Sequence, residues 1–157
     1  MKNKQSSIDD FLDLSSLLTG FDKVDLQGTG LAEIYRKEVL HIIGAQITTE
    51  IEKAGAAIYR KYRNREKLME EAVRSEILSH AILGPLAKNI TSMWYLGVWN
   101  QMPQAWLDHI GIKQTAPSHV ISADAYKESL VWKVIGSHPP GAKQPGYGTW
   151  SLPPKTR

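Results

Sequence analysis

Apolar residues return along this chain at steps of three and four. Phe11, Leu14, Leu17 and Leu18 form the first such run. Ser7 stands before it as an N-cap. Asp9 and Asp10 follow in the first turn, where acids complement the helix dipole. Thr19-Gly20 stops the run, with Gly20 in the position where a left-handed residue closes a helix. A second start is predicted near Thr29-Gly30, leading into Leu31, Ile34 and Tyr35. The longest pattern comprises Leu40, Ile43, Ile47, Ile51, Ala54, Ile58 and Tyr62. It predicts one apolar stripe along several helical turns. Gly44 and Gly55 weaken that helix slightly and admit a close neighbour. Asn64 is the expected break.

Leu68, Ala72, Val73, Ile77 and Ala81 make another amphipathic stretch, interrupted at Gly84-Pro85. Pro85 suits the first position of the next helix, because its missing N–H is not needed there. That helix should carry Leu86, Ile90, Met93, Trp94 and Gly97 on one side and end at Pro103. The segment 104–121 has no sustained period and reads as irregular. Ser122 is a candidate N-cap for a short helix through Tyr126, Leu130, Val131 and Val134, closed by Gly136. Beyond it, Pro139, Pro140, Pro145, Pro153 and Pro154 exclude regular helix and sheet interior. No alternating strand pattern occurs. The expectation is an all-α fold. A helical bundle spans 1–135 and an extended Pro/Gly-rich C-terminal arm spans 136–157, both parts of one domain.

The length of 157 residues suits one domain with a single sizeable core. Hydrophobic content of 42% and charged content of 22% are ordinary for a globular chain. A net charge of +3 and a pI near 9.1 make it mildly basic. Nucleic-acid modules concentrate far more Lys and Arg on one face. Cysteine is absent, which excludes disulfides, thiolate metal sites and a Cys nucleophile. No apolar run approaches the roughly 20 residues needed to cross a bilayer, so no direct membrane span is expected. Asp9-Asp10 interrupts any signal-peptide core, and no Arg-Arg pair is present. As written, the polypeptide carries no export address.

Candidate chemistry is sparse. The five histidines, His41, His80, His109, His119 and His138, offer no ready zinc or di-iron spacing. Asp108-His109 could be an acid–imidazole pair, but neighbours in sequence seldom face one another. No Gly-x-Ser-x-Gly elbow supplies a nucleophile. Gly28-Thr29-Gly30 lacks the later glycine and lysine of a phosphate loop, and no strand precedes it, so it reads as a turn. The run from Tyr59 to Arg65 joins guanidinium groups to two aromatic faces, as nucleic-acid contacts require. It equally suits a helix C-terminus whose cations complement the dipole, and that reading is preferred. No catalytic, cofactor-binding or metal-binding residue is therefore assigned.

Aromatic residues are the remaining signal. Four of the five tryptophans lie between Trp99 and Trp150, with Trp94 just before them. Trp94, Tyr95 and Trp99 stand at i, i+1 and i+5. One of the two tryptophans should enter the core and the other should point outward. Five tryptophans exceed what a small core needs, and exposed Trp is a common interface anchor.

Four segments in order carry a resemblance. Phe11-Leu12-Asp13-Leu14-Ser15-Ser16-Leu17-Leu18-Thr19-Gly20 resembles the opening motif of the small (gamma) subunit of bacterial membrane-bound FAD-dependent sugar and polyol dehydrogenases, the FAD-sorbitol dehydrogenase small-subunit family. Trp94-Tyr95-Leu96-Gly97 is similar to its Trp-Tyr-x-Gly. Tyr126-Lys127-Glu128-Ser129-Leu130-Val131-Trp132 is similar to its Tyr-x-x-Ala-Leu-x-Trp/Phe. Pro145-Gly146-Tyr147-Gly148-Thr149-Trp150 with Pro153 is similar to its terminal Pro-Gly-x-Trp-x-x-x-Pro. The middle, 46–80, matches no motif.

The resemblance implies a non-catalytic accessory subunit. A large flavoprotein would hold FAD and oxidise a sugar, polyol or sugar acid such as sorbitol or gluconate. A multihaem cytochrome subunit would carry electrons onward. The small subunit would assist maturation, stability or export, in a chaperone-like way. Partner-interface candidates are then Trp94, Tyr95, Trp99, Tyr126, Trp132, Pro145, Gly146 and Trp150. Two departures stand out. The family's twin-arginine signal is not seen here, and a tail Cys found in some relatives is replaced by the His138–Gln144 stretch, so association would be non-covalent. The stretch 102–120 is also longer than the family usually has. The expected location is the periplasm, held at the inner membrane by partners, if the chain is exported. It is the cytoplasm if the signal-less N-terminus is native. The competing expectation is a small basic helical nucleic-acid-binding or regulatory module that uses Arg60 to Arg65.

Overall fold

Two helix backbones meet at Gly55. A Cβ there would lie 2.7 Å from Cδ1 of Leu14 and 2.9 Å from its Cα, so only glycine fits. The contact joins α1 (Lys2–Thr19) to α4 (Ala45–Tyr62), the most extensively packed pair of helices. The computed structural model describes residues 2–113 and 116–142, with side chains from Ser7 onward. Between α1 and α4 the chain forms α2 (Lys23–Gly28) and α3 (Ala32–Ile43). After them come α5 (Glu66–Ala72), a π-helical segment (Val73–Leu78) and α6 (Leu83–Leu96). The described chain then forms β1 (Val98–Trp99), α7 (Gln104–His109), β2 (His119–Val120), α8 (Ala123–Lys127) and α9 (Leu130–Val134). The fold is all-α. Its strand content among the described residues is one two-residue antiparallel ladder, Val98 opposite Val120 and Trp99 opposite His119.

The apolar periodicity becomes one core. Phe11 and Leu14 of α1, Tyr35 and Val39 of α3, Ile51 of α4, Ile77, and Leu86, Ile90 and Met93 of α6 are all fully enclosed. A charged pair shares this interior. Arg36 Nε donates to Glu52 Oε1 at 2.7 Å and its Nη2 to Oε2 at 3.1 Å, while the Glu52 side chain is 2% exposed. Burial raises the Glu52 carboxyl above its ordinary pKa, and Arg36 only partly offsets that. The cost of desolvating Glu52 offsets part of what the pair contributes to stability.

Several boundaries differ from those predicted. Helix α1 begins at Lys2, so Ser7 lies inside it rather than at its cap. Lys and Gln are good helix formers, and nothing before Ser7 breaks the turn. The stripe from Leu40 to Tyr62 is two helices, because Gly44 adopts φ 89° and ψ 166° between them. Helix α6 starts at Leu83, with the His80 ring accepting the Ile82 and Leu83 N–H groups at 3.2 Å. It ends at Gly97 rather than Pro103, since Gly97 is left-handed at φ 70°. Gly97 also abuts α8, where a Cβ would stand 2.7 Å from the Ala125 carbonyl. The segment 104–121 is not wholly irregular, because it contains α7 and β2. The helix expected through Val134 is interrupted at Ser129, giving α8 and α9. Ser122 does cap α8, its Oγ accepting the Ala125 N–H at 3.0 Å. Asn64 turns the chain with φ 71°. Gly136 does the same at φ 62°.

Candidate partner interface

Motif residues far apart in sequence meet in the interior. Trp94 is 0% exposed. Its ring stacks on Phe11 at 6.5 Å and meets Tyr35 edge-on at 4.9 Å. Its indole N–H donates to Ser15 Oγ at 2.9 Å, across 79 residues of chain. The Tyr95 hydroxyl donates to the Thr19 carbonyl at 2.8 Å, and the Tyr95 ring meets Phe21 edge-on. The segments 11–20 and 94–97 are thus two halves of one packed contact. Gly97, which closes the second segment, touches Ala125 just before Tyr126, where the third begins.

Trp94 and Trp99 are both in the core, which corrects the expectation that one of them points outward. The i+5 spacing held only for a continuous helix. Gly97 ends α6, and β1 turns Trp99 back inside, 0% exposed. Its indole N–H has no partner among the described residues. Trp106 is also buried, donating to the Ile82 carbonyl at 3.2 Å. Among the described residues the core therefore uses Trp94, Trp99 and Trp106. As folded, Trp94 and Trp99 offer no indole face to another protein, and Tyr95 is only partly exposed.

Tyr126 and Trp132 are placed differently. Their rings meet edge-on at 5.5 Å at the surface. The Tyr126 carbonyl accepts from both the Ser129 hydroxyl and the Trp132 indole N–H, each at 2.8 Å. That double acceptance explains the bend between α8 and α9, and why the Trp132 ring is held against α8. Leu130 is buried beneath them and ties α9 to α6. Leu96, Val120, Val134 and Ile135 are between 52% and 60% exposed, and Tyr126 is 38% exposed. They lie on, or at the ends of, α6, β2, α8 and α9, elements that contact one another through α6 and β1. The sequence reading missed Leu96, Val120 and Ile135 as surface residues. Their signal was weak, since each stands at the end of an element where the period stops. Pro145, Gly146 and Trp150 lie outside the described residues.

Arg60 is the member of the basic run that forms ion pairs among the described residues. Arg60 pairs with Asp10 and, at 3.0 Å, with Asp13. Asp13 is nearly buried and also holds Lys23 at 2.6 Å. Lys61 lies 4.9 Å over the Tyr62 ring. The network lines a cavity of about 350 Å³ with Asp9, Tyr59 and Arg63, so carboxylates and cations alternate there. Among the described residues no three His, Asp or Glu side chains converge to hold a metal, and no helix is long and apolar enough to cross a membrane. No family model matches the chain, and comparison with curated proteins and with solved structures yields no significant match.

Proposed function

We propose that this chain is the non-catalytic small subunit of an FAD-dependent sugar, polyol or sugar-acid dehydrogenase complex. The observation that carries the reading is the concentration of exposed apolar and aromatic side chains on α8, α9 and the end of α6, directly ahead of the Pro-rich arm. The ordered motifs support it, and three of the four meet in one fold. In this reading the α8–α9 face and the arm embrace a large flavoprotein, with Trp132 and Trp150 as aromatic anchors. Proline in the arm lowers the entropy lost on ordering. FAD belongs to the large subunit, electrons leave through a multihaem cytochrome subunit, and this chain assists maturation, stability or export. A periplasmic place at the inner membrane follows if the complex is exported.

The test is co-expression of the tagged chain with a large flavoprotein encoded beside it. Stoichiometric recovery of FAD with the tag, and a fall in flavoprotein yield when the chain is omitted, is the expected result. Trp150→Ala should weaken recovery with helical content unchanged. A stable monomer that retains no flavoprotein would defeat the proposal.

A further inference from the structure

The His119 ring on β2 bridges two acceptors. Nε2 lies 2.9 Å from Glu38 Oε1 on α3, and Nδ1 lies 2.8 Å from the Pro117 carbonyl oxygen. A carboxylate and a carbonyl have no proton to give. A neutral imidazole carries one N–H and can satisfy only one of them, whereas the imidazolium satisfies both. The segment it holds is also paired to β1 through Val98–Val120 and Trp99–His119, and its Ala116 and Ile121 pack against the core. The Gln101 N–H donates to Ser118 Oγ, and the Ile121 N–H donates to the Gly97 carbonyl. Ser122, the cap of α8, is the next residue.

We propose that His119 and Glu38 form a proton-operated latch that fixes the 116–122 segment, and with it the start of α8, against α3. Its bearing on partner capture rests on the subunit reading above, because α8 carries Tyr126. Glu38 is the charged group that α3 turns to the ring, β1 opposes it with the uncharged Trp99, and α8, which packs on β2, carries Asp124 and Lys127, paired with each other at 3.1 Å. His41 stands one helical turn beyond Glu38 and is exposed, so its resonance has to be followed separately. The Pro117 carbonyl raises the His119 pKa from 6.5 most strongly; burial, the next effect in size, opposes it, and Glu38 raises it further. The sign follows from that direction. The latch is complete below 6.5 and is lost as pH rises through the folded-state value.

The test uses the full chain alone, so it can fail independently of the subunit proposal. Imidazole ¹H–¹⁵N spectra from about pH 5 to about pH 9 report each histidine, and amide exchange reports 119–127. The His119 midpoint should lie above 6.5 and fall in Glu38→Gln. Protection of the α8 amides, corrected for intrinsic exchange, should drop across the same pH range. His119→Gln should remove that dependence, since an amide cannot titrate. A midpoint at or below 6.5, or one unmoved by Glu38→Gln, would overturn the latch. So would α8 protection that stays constant while His119 titrates.

Discussion

Trp94 and Trp132 both satisfy their indole N–H within the chain, yet one lies in the core and the other at the surface. Trp94 donates to Ser15, 79 residues away, and is wholly enclosed between Phe11 and Tyr35. Trp132 donates to Tyr126, six residues away, and stays partly exposed. The first bond closes a long loop and is made only when α1 and α6 are docked. The second forms within one supersecondary turn and leaves an aromatic edge available. Motif membership alone therefore does not mark a surface. Motif residues with distant partners build the body, and those with local partners present a face.

The contrast predicts a graded series. Trp94→Ala should have the largest effect, removing about 3–5 kcal/mol. Thermal unfolding should shift strongly downward, and loss of flavoprotein binding would follow from loss of the fold. Gly97→Ala comes next, at about 2 kcal/mol, because it meets both a left-handed backbone and the Ala125 carbonyl. Denaturant midpoints measure it, and a neutral result would mean that α6 and α8 separate freely. Ser122→Ala should cost about 1 kcal/mol through the lost cap, with faster amide exchange confined to α8. Val134→Ser with Ile135→Ser is the smallest, within about 0.5 kcal/mol, since both side chains are mostly exposed. A large loss of stability in that double variant would erase the distinction between body and face.

The helical class and much of the core were legible because the relevant residues repeat on one face. Phe11, Leu14, Ile51, Ile90 and Met93 follow that period and are buried. Where the chain changes element, the period misleads. The break at Gly44 depends on a backbone conformation, not on hydropathy. Trp99 could be placed only after Gly97 was known to end α6. Helix α7 was missed because it is short, although Pro103 before it and Trp106, Leu107 and Ile110 at helical spacing were available signals. The exposed α8–α9 face was half legible. Tyr126 and Trp132 stood in a motif, but the re-phasing at Ser129 that leaves Val134 outside was not visible. His119 and Glu38, 81 residues apart, left no sequence signal at all.

The most direct measurement compares FAD recovered with the tagged chain and with its Trp132→Ala, Val134→Ser, Ile135→Ser variant, both co-expressed with the large flavoprotein and matched for helical content by circular dichroism. The account predicts stoichiometric FAD with the unaltered chain and at least a tenfold loss with the variant, equivalent to about 1.4 kcal/mol or more of lost affinity. Equal FAD recovery from the two folded chains would contradict the claim that the α8–α9 face holds the partner.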